Sequence, residues 1–351
     1  PMGTLTELFD PDRVAVVGAT AREGAVGRAV TSNLLADFDG ETVPVNPNYD
    51  EVLDTPCVAS VDDANADVAV VVVPPSIVLD AIEACGEAGT QNVVVITAGF
   101  GETGEDGAAR EQRLADLAEE YDLNIVGPNS LGIMSTPSGM NATFGPENAL
   151  PGGLSFMSQS GAFVTAVLDW ANDNGVGFKD VVSLGNKAVL DETDFVDHWG
   201  DDPETDVIIG YLEGISDGRE FIETARETAR DTPIVAVKSG RTSAGAQAAS
   251  SHTGTLAGSE KAYEAGLDQA GVIRAESVDD LFDAAGILGS QPLPDTDSVA
   301  IVTNAGGPGV MATDAVGDAG LELASFAPET TETLRESMPA EANIHNPVDV
   351  I

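Results

Sequence analysis

The chain has 351 residues, 42% of them hydrophobic, which excludes a disordered polypeptide and suffices for two or three domains with their own cores. Its 59 acidic residues against 15 basic ones give a net charge of −44, a field that repels nucleic acid and anionic lipid. No apolar run approaches the ~18 residues of a bilayer span, no secretory signal opens the sequence, and Cys57 and Cys85 form no C-x-x-C, so a cytoplasmic protein without a disulfide framework or thiolate metal site is expected. In chain order, RVAVV (13–17) predicts a short strand, followed by the glycine loop 18–27 and a helix to about Ala36. Strands follow at 42–45, ending in Asn46-Pro47-Asn48, at 68–73, closed by Pro74-Pro75, and at 92–97, ending in Ala98-Gly99-Phe100. Helices over 76–88 and 107–121 separate them, and 124–126 leads into Gly127-Pro128-Asn129. Near-continuous Val/Ile strands alternating with helices predict a parallel sheet covered on both faces, a Rossmann-like domain over 1–140.

The stretch 136–153, rich in Gly and Pro, reads as a linker, and a second βα series begins at 154–157. Ser158-Gln159-Ser160-Gly161 opens a helix, strands follow at 181–184, 207–212 and 233–237, and 239–258 is a low-complexity loop of Ser, Gly, Ala and Thr. Helices at about 259–269 and 278–288 close a flavodoxin-like, doubly wound domain over 150–290. After a Pro-containing linker a third unit spans 297–351, with too few strand–helix pairs for an independent doubly wound domain, so it reads as truncated.

Gly18, Gly24 and Gly27 follow a strand and open a helix, where backbone N–H groups and the helix dipole can cradle a phosphate. The spacing is not G-x-G-x-x-G, and the second strand ends in neutral Asn46 and Pro47 rather than the carboxylate that takes a dinucleotide ribose. That end argues against NAD and suits coenzyme A, whose ribose 3′-phosphate a carboxylate would repel. Thr20 in the same loop, Val73, Pro74 and Pro75, Thr97, Ala98 and Gly99, and Asn129 lie at the carboxyl edge where ligands of open sheets bind.

Of three histidines, His198 sits in an acid-rich helical stretch and His345 in a turn before Asn346-Pro347. His252 stands among small, flexible residues (SSHTGT), a setting that fits an exposed loop residue or a mobile phosphoryl carrier. Ser160-Gly161 and Gly306-Gly307-Pro308-Gly309 are two candidate helix starts able to hold an anion, and Glu213 ends the strand VIIGYL. A carboxylate accepting from imidazole Nδ1–H leaves Nε2 free as nucleophile.

Taken together, GATAREGAVG, PVNPN, VVVPPS, ITAGFGE, GPNSLGIM, SQSGAF, SLGNKA, YLEGI, SSHTGTLAG, TNAGGPGVMATDA and NPVD, in that order, make the chain resemble the NDP-forming acyl-CoA synthetases. In particular it resembles the α part of the ADP-forming acetate–CoA ligases, relatives of the succinyl-CoA synthetase α subunit. The resemblance implies a CoA-binding first domain, His252 as phosphohistidine steadied by Glu213, and phosphate held at Ser160 and Gly161 and at Gly306, Gly307 and Gly309. The implied reaction is acyl-CoA + phosphate + ADP giving carboxylic acid, CoA and ATP, through acyl phosphate and phosphohistidine.

ADP or ATP with Mg²⁺ would sit on an ATP-grasp part, fused or on a β subunit, for which these residues hold no segment; a homo- or hetero-oligomer is implied, and no metal site is expected here. A CoA-sensing regulatory module is the alternative reading, against which His252 argues. The dispersed acidity, which repels itself unless counterions screen it, points to a halophilic protein.

Overall fold

The computed structural model describes residues 5–239 and 260–351. The chain divides into two compact units, 1–291 and 292–351. The first unit opens with α1 (Thr6–Phe9), β1 (Arg13–Val17), α2 (Val26–Asp37) and β2 (Glu41–Val45), then a small hairpin of β3 (Glu51–Val52) and β4 (Thr55–Pro56). β5 (Val68–Val71), α3 (Val78–Ala88), β6 (Asn92–Val95), α4 (Glu105–Tyr121) and β7 (Asn124–Val126) follow. The five strands β2-β1-β5-β6-β7 form an all-parallel sheet. Successive side chains of a strand point to opposite faces. Val14, Val16, Val68, Val70 and Val94 accordingly pack with Leu8, Val30 and Leu34 on one face. Ala15, Ala69, Val71, Val93 and Val95 pack with Val78, Ile82, Leu114 and Leu117 on the other.

Next come β8 (Gly132–Ser135), β9 (Met140–Thr143), β10 (Leu150–Ser158), α5 (Gly161–Asn174), β11 (Gly177–Ser183), α6 (Glu192–Gly200) and β12 (Val207–Leu212). α7 (Gly218–Thr228), β13 (Ile234–Lys238), α8 (Glu260–Ala270), β14 (Ile273–Ala275) and α9 (Val278–Ser290) complete the unit. The second sheet runs β14-β13-β12-β10-β11-β8-β9, parallel except for the β8–β9 hairpin, which pairs antiparallel at its edge. Residues 136–153, expected as a linker, therefore hold β9 and the start of β10. Two features hid these strands. β9 carries its buried polar groups on internal partners, Asn141 Oδ1 accepting from the Thr143 N–H at 3.1 Å, and β10 shifts register around Pro151–Phe156. α2 is tied to this hairpin by Asn33, whose amide donates to the Thr143 and Gly145 carbonyls at 2.8 and 3.0 Å.

In the second unit β15 (Ser298–Val299), β16 (Val302–Thr303), α10 (Gly306–Asp318), β17 (Glu322–Leu323), α11 (Pro328–Ser337) and β18 (Val348–Asp349) form two parallel pairs, β15 with β17 and β16 with β18. Asn346 bridges them: its amide donates to the Val299 and Ala324 carbonyls at 2.8 and 3.0 Å and accepts from the Ile301 N–H at 3.0 Å. Among the described residues no helix is long and apolar enough to cross a membrane.

Candidate functional site

The glycine loop is built by close approach. Gly18 has φ +101°, the left-handed region that favours glycine, and a Cβ on Gly27 would come 2.2 Å from the Gly18 carbonyl oxygen. Helix α2 thus starts directly against the end of β1, with its first N–H groups facing the loop. Asn46 closes the other side: its amide donates to the Ala19 carbonyl at 2.8 Å, and its Oδ1 accepts the Asn48 N–H at 3.0 Å. Thr20 Oγ1 meets the Tyr49 hydroxyl at 3.0 Å, and Arg28 donates to the Ala21 carbonyl at 2.7 Å.

These elements line a cavity of about 1460 Å³ that runs from Arg22, Pro47 and Asn48 to Ser160, Gly161 and Thr165. Of the candidate residues, Gly18, Thr20, Gly27, Asn46, Pro47, Val73, Pro74, Pro75, Thr97, Ala98, Asn129, Ser160 and Gly161 all line it. The carboxyl edges of both sheets of the first unit therefore open onto one space. Val26, Ile77 and Phe144, large apolar side chains left 40–45% exposed, are on its walls. An elongated ligand with an apolar arm and anionic ends suits such a lining. Gly24 and Gly99 stand beside it as turn residues with φ +72° and +104°.

At the far end, Ser160 caps α5, its Oγ accepting the Phe163 N–H at 3.2 Å. The first amides of this 14-residue helix face the cavity, where the dipole favours an anion. Gln159 beside it reaches the end of β12: its Oε1 accepts the Glu213 and Gly214 N–H groups at 2.6 and 2.9 Å. Glu213 Oε2 is buried with no hydrogen-bond partner among the described residues. A buried carboxylate oxygen without a donor is costly. Lys187 and Glu192 support the same strand end. The ammonium bonds the Glu192 carboxylate at 2.8 Å and the Gly214 carbonyl at 3.0 Å, and the other Glu192 oxygen accepts the Ser216 N–H.

His252 lies outside the described residues. His198 is a packing residue, stacked on Phe9 with ring centroids 5.4 Å apart and an interplanar angle of 9°, and burial holds its pKa below the ordinary histidine range. In the second unit, Gly306 begins α10, with Gly307 and Gly309 in its first turn. A Cβ on Gly306 would lie 3.6 Å from Asp349 Oδ2, so a carboxylate shares that helix start. Gln159, Asn186, Lys187 and Glu192 were not singled out from the sequence. Their partners lie up to 84 residues away, and the only local signal is the turn Gly185–Lys187, where both end residues take positive φ.

Two mainly parallel sheets whose carboxyl edges share one cavity, bordered by two helix starts, make the fold and site of a protein that binds an extended, phosphate-bearing ligand such as coenzyme A. Comparison with known proteins agrees. Residues 12–136 match a CoA binding domain, 151–288 a succinyl-CoA ligase like flavodoxin domain and 299–351 a ligase-CoA domain. The acetate–CoA ligase [ADP-forming] I of Archaeoglobus fulgidus is 49% identical over 99% of this chain, which spans 50% of that protein. Subunit alpha of acetate–CoA ligase [ADP-forming] I from Pyrococcus furiosus is 42% identical, covering 99% of this chain and 76% of its own length. The dinucleotide-forming acetyl-coenzyme A synthetase 1 of Ca. Korarchaeum cryptofilum, solved with phosphate and ADP, superposes with a TM-score of 0.92 at 40% identity, over 99% of this chain and 75% of its own. The chain belongs to the ADP-forming acetate–CoA ligase family and corresponds to its α-type part.

Proposed function

We propose that this chain is the acyl-CoA-handling part of an ADP-forming acetyl-CoA synthetase. The observation that carries the reading is the single cavity joining the glycine loop to the Ser160–Gly161 helix start, one side chain away from the unpartnered Glu213 oxygen. CoA would lie along residues 1–140, its phosphates toward the Gly18–Gly27 loop and Arg22, its thiol toward Thr97, Ala98 and Asn129. Phosphate at the start of α5 would attack the thioester carbonyl; the C–S bond breaks, CoA leaves as the thiol and acyl phosphate forms. His252 Nε2 would then take the phosphoryl group, an N–P bond replacing the P–O bond to the acyl oxygen and releasing the carboxylate. Its Nδ1–H donating to Glu213 Oε2 would fix the tautomer and satisfy that oxygen.

The phosphoryl group would pass to ADP on an ATP-grasp part, fused or in a β subunit, with Gly306, Gly307 and Gly309 offering a second phosphate-holding helix start. Nucleotide and Mg²⁺ belong to that part in this reading. The domain limits that go with this reading are 1–140, 150–290 and 297–351, with a cytoplasmic location, and the charge of −44 supports its halophilic character. The regulatory-module alternative has no support among the ligases that resemble the chain. The test is to supply the full-length protein with acetyl-CoA, phosphate, ADP and Mg²⁺ and follow free thiol and ATP together. Equal amounts of both, each abolished when phosphate is omitted, are expected; thiol release that ignores phosphate, or none at all, overturns the reading.

A further inference from the structure

The turn Leu184–Ala188 is docked on the wall of the cavity at its Thr97–Asn129 end. Gly185 has φ +60°, and a Cβ there would come 2.2 Å from the Pro128 carbonyl oxygen. The Asn186 N–H donates to that same carbonyl at 2.8 Å, and the Ala188 N–H to the Gly127 carbonyl at 3.0 Å. From this position the Asn186 side chain serves three groups. Nδ2 donates to Glu102 Oε2 and to Glu111 Oε2, both at 2.7 Å, and Oδ1 accepts from Asn129 Nδ2 at 3.2 Å.

The two carboxylates in turn hold the 97–103 loop. Glu102 Oε1 accepts the Gly99 N–H and Glu102 Oε2 the Phe100 N–H at 3.1 Å, while Glu111 Oε2 accepts the Gly101 N–H at 2.9 Å. Asn129 is fixed independently, its N–H donating to the Thr97 carbonyl at 3.0 Å. One amide thus stands where two like charges converge; it bonds the lining residue Asn129 directly and, through Glu102 and Glu111, the Gly99–Gly101 backbone that follows the lining residues Thr97 and Ala98.

We propose that Asn186 is a positioning residue for CoA: by bridging Glu102, Glu111 and Asn129 it sets the spacing of the two loops between which the thiol end of the ligand lies. The inference rests on the cavity being the CoA site, and it adds that a residue outside the lining, contributed by the second sheet's connections, governs affinity there. A carboxylate at 186 would remove both donors and put a third negative charge among the first two. A paired change, Glu102→Gln with Asn186→Asp, restores one link. The amide introduced at 102 still accepts the Gly99 N–H and the Phe100 N–H, which reaches Glu102 Oε1 at 3.2 Å, through its oxygen, while its nitrogen donates to the carboxylate introduced at 186.

The experiment is calorimetric titration of the full-length protein with CoA, with melting temperature recorded for each variant. Asn186→Asp is expected to bind CoA about tenfold more weakly, the order expected from losing a hydrogen bond to a charged group. The double variant is expected to recover several-fold of that loss, a rescue that general destabilisation would not give. Wild-type affinity in Asn186→Asp, or a double variant that binds no better than Asn186→Asp, overturns the proposal.

Amide hydrogen exchange at Gly99–Gly101 in Asn186→Ala supplies a measurement that needs no ligand. Faster exchange there than in the wild type supports the bridging role of Asn186, and unchanged exchange overturns it. Wild-type protein that binds no CoA overturns the CoA reading itself, whatever the exchange result.

Discussion

At the scale of single residues, Asp194 and Glu213 make separable claims. Burial pushes the Asp194 carboxyl up to about 6, with Asp191, Glu220 and Asp197 adding to the rise against the lowering bond from the Asp191 N–H. A carboxyl whose pKa is higher folded than unfolded binds a proton more tightly in the native state. Its contribution to stability is therefore present below the unfolded value, near 4, and is lost as pH rises through about 6. Urea midpoints measured from pH 4 to 7 should fall with pH less steeply in Asp194→Asn than in the wild type; parallel curves would show that this group does not titrate in that window. Glu213→Gln keeps the shape of the side chain but removes the charge that would steady an imidazolium. It is expected to lower kcat at least tenfold with KM for acetyl-CoA within about twofold. A KM effect alone would place Glu213 in ligand binding instead.

At the scale of elements, the starts of α2 and α5 border the cavity. Ser160→Ala removes the cap of α5 and is expected to cost about 1 kcal/mol in urea unfolding. Gly27→Ala drives a methyl against the Gly18 carbonyl and is expected to cost about 1–3 kcal/mol and to weaken CoA binding. The strands at 13–17, 41–45, 68–71 and 92–95 were legible because each is a short Val-containing run bounded by turn residues, and almost all of their residues are buried. Most of the residues named for CoA line the cavity for a related reason, since ligands of parallel sheets gather at carboxyl ends and those ends could be counted along the chain. β9 and the start of β10 were not legible, because Pro151, Gly152 and Gly153 look like linker residues and only the register shift in β10 accommodates them. Asn186, Gln159 and Lys187 were equally hidden: an amide or ammonium acquires its meaning from carboxylates and N–H groups brought to it by the fold, such as Glu102 from 84 residues away.

At the scale of the whole molecule, charge and chemistry meet. The described ion pairs on the surface, such as Arg219–Glu223 at 3.1 Å and Arg230–Glu227 at 2.7 Å, are exposed and worth little each. They leave a net charge of −44 to be screened by counterions, and the Debye length shortens from ~8 Å at 0.15 M salt to ~3 Å at 1 M. The melting temperature should therefore climb continuously between 0.15 and 2 M KCl, and a flat profile would remove the case for halophily. In so negative a field the proposed route has the phosphoryl group held where backbone dipoles are focused, as at the start of α5, and carried to the nucleotide on His252. The most direct measurement is labelling: the full-length protein is incubated with acetyl-CoA and ³²P-phosphate without ADP. Acid-labile, alkali-stable label on the peptide holding His252, absent from His252→Ala and discharged by ADP, is the predicted result. A wild-type protein that takes up no label while forming ATP, or a His252→Ala variant labelled like the wild type, would contradict it.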